Sequence, residues 1–141
     1  MKKNLLFITL FYCIGVFGQK ITYSKEYNGD ITAKDEYGNV VARGSKEYNG
    51  DIVWKDKFGN VIKRESKEYN GDSVSKDRYG NKQSSQSRQY NGDEVVKDNY
   101  GNVLYVLSTD YNGDVIKKDK YGKVLGVYRK DYSGNYVYYP R

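Results

Sequence analysis

The chain has 141 residues and a formal charge of +6, with 17 Tyr, 15 Gly, one Pro, one Cys, one Trp and no His. That length suits one modest domain, and the missing His excludes an imidazole base, a Ser-His or Cys-His dyad and a His-ligated metal. Only 38% of the residues are hydrophobic, many of them Tyr, which is a thin supply for a conventional two-layer core.

Met1, Lys2 and Lys3 make a basic start, Leu5 to Phe17 is a nearly unbroken apolar run, and Gly15, Gly18 and Gln19 follow as small or polar residues. This pattern predicts a secretory signal peptide over residues 1–19, cleaved beside Gly18 or Gln19. The run is shorter than the roughly 20 residues of a membrane-spanning helix. Phe11 and Tyr12 ahead of Cys13 do not provide the small residues of a lipoprotein signal. Cleavage removes the only Cys and three of the four Phe, and lowers the formal charge by two. The expected mature chain, 20–141, is therefore exported yet without a disulfide.

Residues 24–141 are a repeat. Tyr27, Tyr48, Tyr69, Tyr90, Tyr111 and Tyr132 follow one another at a constant spacing of 21 residues. The first five each open Tyr-Asn-Gly-Asp, and the last opens Tyr132-Ser133-Gly134-Asn135. A second motif, Lys-Asp-x-aromatic-Gly-Asn, recurs at 34–39, 55–60, 76–81 and 97–102, with Lys123 in place of Asn in the copy at 118–123. The mature chain is thus one β-repeat domain of five repeats and a terminal half repeat.

Each unit carries two turn signals. Asn28-Gly29 suits a type I′ turn or a glycine-closed bulge turn, and Gly38-Asn39 suits a type II′ turn. Asp30–Tyr37 and Val40–Tyr48 lie between turns, are rich in β-formers, and contain no Pro. The expected fold is all-β: an antiparallel meander, or β-hairpin repeat array, of about ten to twelve short strands. Two-residue turns would leave strands of about 8 and 9 residues, and the odd strand would flip the faces at every repeat. One bulge or asymmetric turn per repeat resolves this, and the reading places it at Tyr-Asn-Gly-Asp. A parallel β-solenoid is the main alternative, but it would stack Lys34, Lys55, Lys76, Lys97 and Lys118 into a like-charge ladder. A propeller of paired repeats would have only about three blades at roughly 40 residues each.

Runs such as Asp35-Glu36-Tyr37-Gly38-Asn39-Val40 and Asp98-Asn99-Tyr100-Gly101-Asn102-Val103 resemble the YD repeats of Rhs-type surface proteins. The resemblance spans nearly the whole mature chain, although Tyr-Asn stands where that family has Tyr-Asp. It implies a secreted, repetitive β-sheet with a cell-surface or carbohydrate-binding role. The encapsulating function of that family does not carry over, because five repeats are few and no toxin domain follows.

The recurring rings have two readings. They form a core by packing across strands, or they form a platform that stacks on sugars beside Asn and Asp. On the second reading the ligand-binding residues are Tyr27, Tyr48, Tyr69, Tyr90, Tyr111, Tyr37, Tyr79, Tyr100 and Tyr121, with Trp54 as an added ring. Asp30 and Asp35 typify recurring carboxylates; their spacing lacks the density of a Ca²⁺ loop and fits turn caps, so no metal or cofactor is expected. Equivalent repeats also deny any Asp pair the unlike environments of a glycosidase, so no enzyme activity is expected. Lys and Arg are interleaved with Asp and Glu, which argues against nucleic-acid binding. The third repeat, with Ser73, Ser75, Gln83, Ser84 and Ser85, reads as the least stable, and the apolar C-terminal half as the best packed. Tyr136–Tyr139 reads as a cap or an open edge.

The functional expectation is an exported, non-enzymatic protein, periplasmic, cell-surface or extracellular. It would bind a repetitive ligand such as glycan or envelope polymer, with no membrane span after cleavage. The alternative is a structural subunit that self-associates edge to edge.

Overall fold

The computed structural model describes residues 19–141, and the expected signal peptide lies almost wholly outside them. Twelve strands follow in order: β1 (Ile21–Lys25), β2 (Ile31–Lys34), β3 (Val40–Lys46), β4 (Ile52–Lys55), β5 (Val61–Lys67), β6 (Ser73–Asp77), β7 (Lys82–Arg88), β8 (Glu94–Asp98), β9 (Val103–Thr109), β10 (Val115–Lys118), β11 (Val124–Lys130) and β12 (Tyr136–Pro140). Each pairs antiparallel with its neighbours in sequence, so the meander expectation holds and the solenoid does not. The sheet then closes into a barrel. Ile21, Thr22 and Tyr23 of β1 pair with Tyr138, Val137 and Tyr136 of β12, so the C-terminal strand is the seam and not an open edge.

Both turn classes have the same backbone, which corrects the type II′ expectation at Gly38. In the first class Gly29 N donates to Glu26 O at 3.0 Å and Glu26 N to Asp30 O at 2.6 Å. In the second, Gly38 N donates to Asp35 O at 3.1 Å and Asp35 N to Asn39 O at 2.9 Å. Each is a three-residue loop: a type I turn closed by a glycine at positive φ, +95° at Gly29 and +86° at Gly38. No residue other than glycine has positive φ among the described residues, which excludes type I′ at Asn28-Gly29 and leaves the glycine-closed alternative. Gly38 takes the last loop position because Asp35, and not Tyr37, starts the turn.

The asymmetric turn expected at Tyr-Asn-Gly-Asp is thus present, and each repeat adds a strand bulge elsewhere. On each short strand the register slips by one near the second turn, as between Ala33↔Ala42 and Lys34↔Val40, which leaves Val41 unpaired. The same slip recurs in every later repeat, between Trp54 and Lys55, Ser75 and Lys76, Val96 and Lys97, and Lys117 and Lys118. It restores the side-chain faces, and the extra residues Val41, Ile62, Leu104 and Leu125 pack against the buried cluster.

Inner-face side chains form the packed core, and a cavity remains at one end of the barrel. Trp54 is fully buried, and a Cβ built on Gly44 would stand 2.8 Å from its ring, so the indole occupies the space that a side chain at 44 would need. Tyr138 covers Gly126 in the same way. Such large-against-small pairing is what a closed interior requires, because the same position in several repeats converges on shared space. The apolar cluster joins Ile21, Tyr23, Ile31, Ala33, Ala42 and Trp54 to Val96, Tyr105, Leu107, Val115 and Tyr128. Closure thus makes one core from both ends of the chain, and packing is not confined to the C-terminal half. Between them, β5 to β8 present a polar inner sector with buried Lys63, Glu65, Ser73, Ser75, Gln86 and Glu94.

Candidate functional site

A closed meander sends alternate turns to opposite ends of the barrel. The first rim carries Tyr27, Tyr48, Tyr69, Tyr90, Tyr111 and Tyr132, and the opposite rim carries Tyr37, Phe58, Tyr79, Tyr100 and Tyr121. All eleven rings are exposed, from 74% at Tyr79 to 111% at Tyr132. The recurring rings are therefore not the core. The buried tyrosines are instead Tyr23, Tyr105 and Tyr128, which stand outside the 21-residue aromatic series. Trp54 is buried too, so it offers no face to a ligand at either rim.

The turns hold these rings on a hydrogen-bonded base. In the first four turns of the first rim, Asn28 and its equivalents Asn49, Asn70 and Asn91 accept the backbone N–H two residues on, at 2.9–3.0 Å. Asp110 and Asp131 take over this work in the last two, accepting from Asn112 and Asp114, and from Ser133 and Asn135. On the opposite rim, Asp35 Oδ1 accepts from Tyr37 N and Asn39 N, both at 2.9 Å, and Asp56, Asp77, Asp98 and Asp119 repeat the pattern. The caps thus have a structural role.

Hydrogen bonds from the backbone, first that of Asn39, hold the Asp35 carboxyl below its ordinary 3.8, and Asp56, Asp77 and Asp98 behave alike. A lowered folded-state value contributes stability above the unfolded value that is lost as pH falls through the folded one. The melting temperature should therefore fall on acidification below about pH 4, and Ala at these four positions should flatten that acid limb. A quadruple variant with an unchanged acid limb would contradict the capping role.

The rims differ in their neighbours. On the opposite rim, the Lys57 ammonium lies 5.2 Å from the Phe58 ring centroid, Lys120 lies 5.2 Å from Tyr121, and the Arg78 guanidinium lies 4.9 Å from Tyr79. These are cation–π distances. Arg78 also donates to the Tyr79 hydroxyl at 2.8 Å. The first-rim rings stand apart, each at 99% exposure or more. Among the described residues, no group of three or more Asp, Glu, His or Cys is placed to hold a metal ion.

The buried polar sector was missed by reading the repeats for what they share. Its signal lay in columns where they differ. Gly44, Glu65, Gln86, Leu107 and Tyr128 are 21 residues apart, as are Trp54, Ser75, Val96, Lys117 and Tyr138. Buried Lys117 has its ammonium 4.6 Å from the Tyr105 ring centroid. Gln86 Nε2 donates to Glu94 at 2.8 Å, and Glu94 also pairs with Arg88 at 2.8 Å.

The fold and its rims define a twelve-stranded, closed antiparallel barrel edged at both ends with aromatic turns. No protein-family model matches the chain, and no curated protein does. Among solved structures, it is similar to the X-ray structure of a protein from Arabidopsis thaliana, with a TM-score of 0.68 at 12% identity, covering 92% of this chain and 83% of that one. That likeness concerns the fold alone.

Proposed function

We propose that the protein is an exported, non-enzymatic binding module whose aromatic rims engage a repetitive ligand, such as a glycan or cell-envelope polymer. The observation that carries this reading is the set of eleven rings exposed at hydrogen-bonded turn tips. An exposed ring at a turn tip adds little to folding, and eleven of them repeated along the two rims offer aromatic faces to another molecule. Tyr presents a large stacking face with few rotatable bonds, beside Asn and Asp that can meet hydroxyl groups. Equivalent weak sites around a ring suit a ligand that repeats, because each contact after the first gains from effective concentration. The likeness of the turns to YD repeats agrees with a surface role.

Display is favoured over edge-to-edge assembly because β12 is paired with β1, which uses the backbone groups that a second copy would need. The test is co-sedimentation of the purified protein with isolated envelope and insoluble polysaccharides, against a protein-only control. Retention by a polymer should fall roughly tenfold in Tyr27→Ala/Tyr48→Ala, with the fold intact. Unchanged retention would defeat the reading, and pelleting without polymer would favour self-assembly.

A further inference from the structure

We propose that the barrel interior at the first rim is a second, separate site that binds a small amphipathic organic anion, with its carboxylate among lysines and its apolar body against the wall below. A cavity of about 520 Å³ opens there, within the range of small-molecule sites. Four lysines line it: Lys25, Lys46, Lys67 and Lys130. They are not scattered around the mouth. Each sits next to a first-rim turn and directly opposite a cavity-wall residue: Lys25 faces Ile31, Lys46 faces Ile52, Lys67 faces Ser73 and Lys130 faces Tyr136.

The rest of the circle shows how the barrel treats this position when no cation is wanted. In the fourth repeat it is Arg88, neutralised by Glu94 at 2.8 Å, and in the fifth it is Thr109. The four lysines occupy the remaining arc, from β11 across the seam to β5. Among the described residues, none of them has a salt bridge to a carboxylate. A concave, unneutralised cationic arc attracts an anion.

Inside the arc the wall is mixed. Ile31 and Ile52 give it apolar surface. Glu65 also lines the cavity, is 6% exposed, and has Oε1 without a hydrogen-bond partner. A buried polar atom left unpaired is costly, and a ligand head group beside Ser73 and Lys67 would satisfy it. Burial raises the Glu65 carboxyl against the opposing pull of Lys63 and Lys67, which favours the protonated form that can donate an O–H to a carboxylate.

The probe is decanoate below its aggregation concentration, with decanol as the neutral control, read by titration calorimetry. Fluorescence of Trp54, the only Trp, supplies a second readout, since its ring lies against Gly44 of the cavity wall. Decanoate should bind one to one and change the Trp54 emission. Lys46→Met/Lys67→Met should weaken it at least tenfold, whereas Lys34→Met/Lys55→Met, which removes equal charge from the outer face, should not. Lys25→Met/Lys130→Met repeats the test on the other half of the arc should the first variant misfold. Absence of decanoate binding, decanol binding as tightly, or equal losses in the inner and outer variants would each overturn the proposal.

Discussion

Trp54→Ala should lower the unfolding free energy by about 3–5 kcal/mol, whereas Tyr27→Ala should change it by no more than about 0.5 kcal/mol. The contrast follows from position. Trp54 is fully buried and its ring fills the space over Gly44, so truncation loses both transfer energy and close contacts. Gly44 cannot compensate, having no side chain to move into the gap. Tyr27 stands at a turn tip, fully exposed, and its removal uncovers nothing. Urea denaturation of the two variants beside the parent protein decides the matter. Similar losses for both would mean that the recurring rings are structural, against the binding role. The same pair separates the sites in function, because Tyr27 variants should lose polymer retention at unchanged stability.

Glu65→Gln should stabilise the protein at neutral and higher pH and remove a pH dependence that the parent shows. The Glu65 carboxyl is pushed up to about 8 by burial, against the opposing pull of Lys63 and Lys67, from an ordinary 4.5. Between those two values the folded state holds a proton that the unfolded state has released. Stability therefore decreases as pH rises from about 4.5 towards 8, by up to 1.36 kcal/mol per unit. Over the whole interval the accumulated effect is on the order of 5 kcal/mol. Gln mimics the neutral carboxyl and stays neutral throughout. Melting temperatures from pH 5 to 8.5 should decline in the parent and stay flatter in the variant; parallel curves would show that Glu65 does not titrate in this window. The capped Asp residues act in the opposite sense at the acid end, so the parent should be most stable in weakly acidic solution.

The repeat-conserved residues disclosed the periphery of the molecule well. Tyr-Asn-Gly-Asp and Lys-Asp-x-aromatic-Gly-Asn mark nine of the eleven turns and variants of them mark the other two, because turn geometry is local: a glycine at positive φ and an Asp or Asn cap act within five residues. That was enough to order the strands as an antiparallel meander. It did not separate Gly38 closing a type I turn from Gly38 opening a type II′ turn, since the difference is which residue supplies the cap. Asp35 supplies it, through its bonds to Tyr37 and Asn39. Nor did the local pattern locate the strand bulge, which answers to the pairing of Ala33 with Ala42 across the sheet.

The aromatic series misleads for a related reason. A ring that recurs every 21 residues next to a turn is compatible with packing or with display, and hydrophobicity alone does not separate them. Only its place beyond the strand ends exposes it. Trp54 goes the other way: its rarity marks it as special, but only its register opposite Gly44 makes it core.

By itself the sequence determined the all-β meander, the length of its unit and the chemistry of its turns, since each rests on contacts within one hairpin. Only the tertiary structure decided that β12 closes on β1, that the recurring rings edge both ends of the barrel, and that Glu65 and four lysines share one cavity. Those outcomes depend on residues far apart in the chain meeting around a closed circle. There, side chains at equivalent positions compete for one interior, and the repeats had to differ for it to fill.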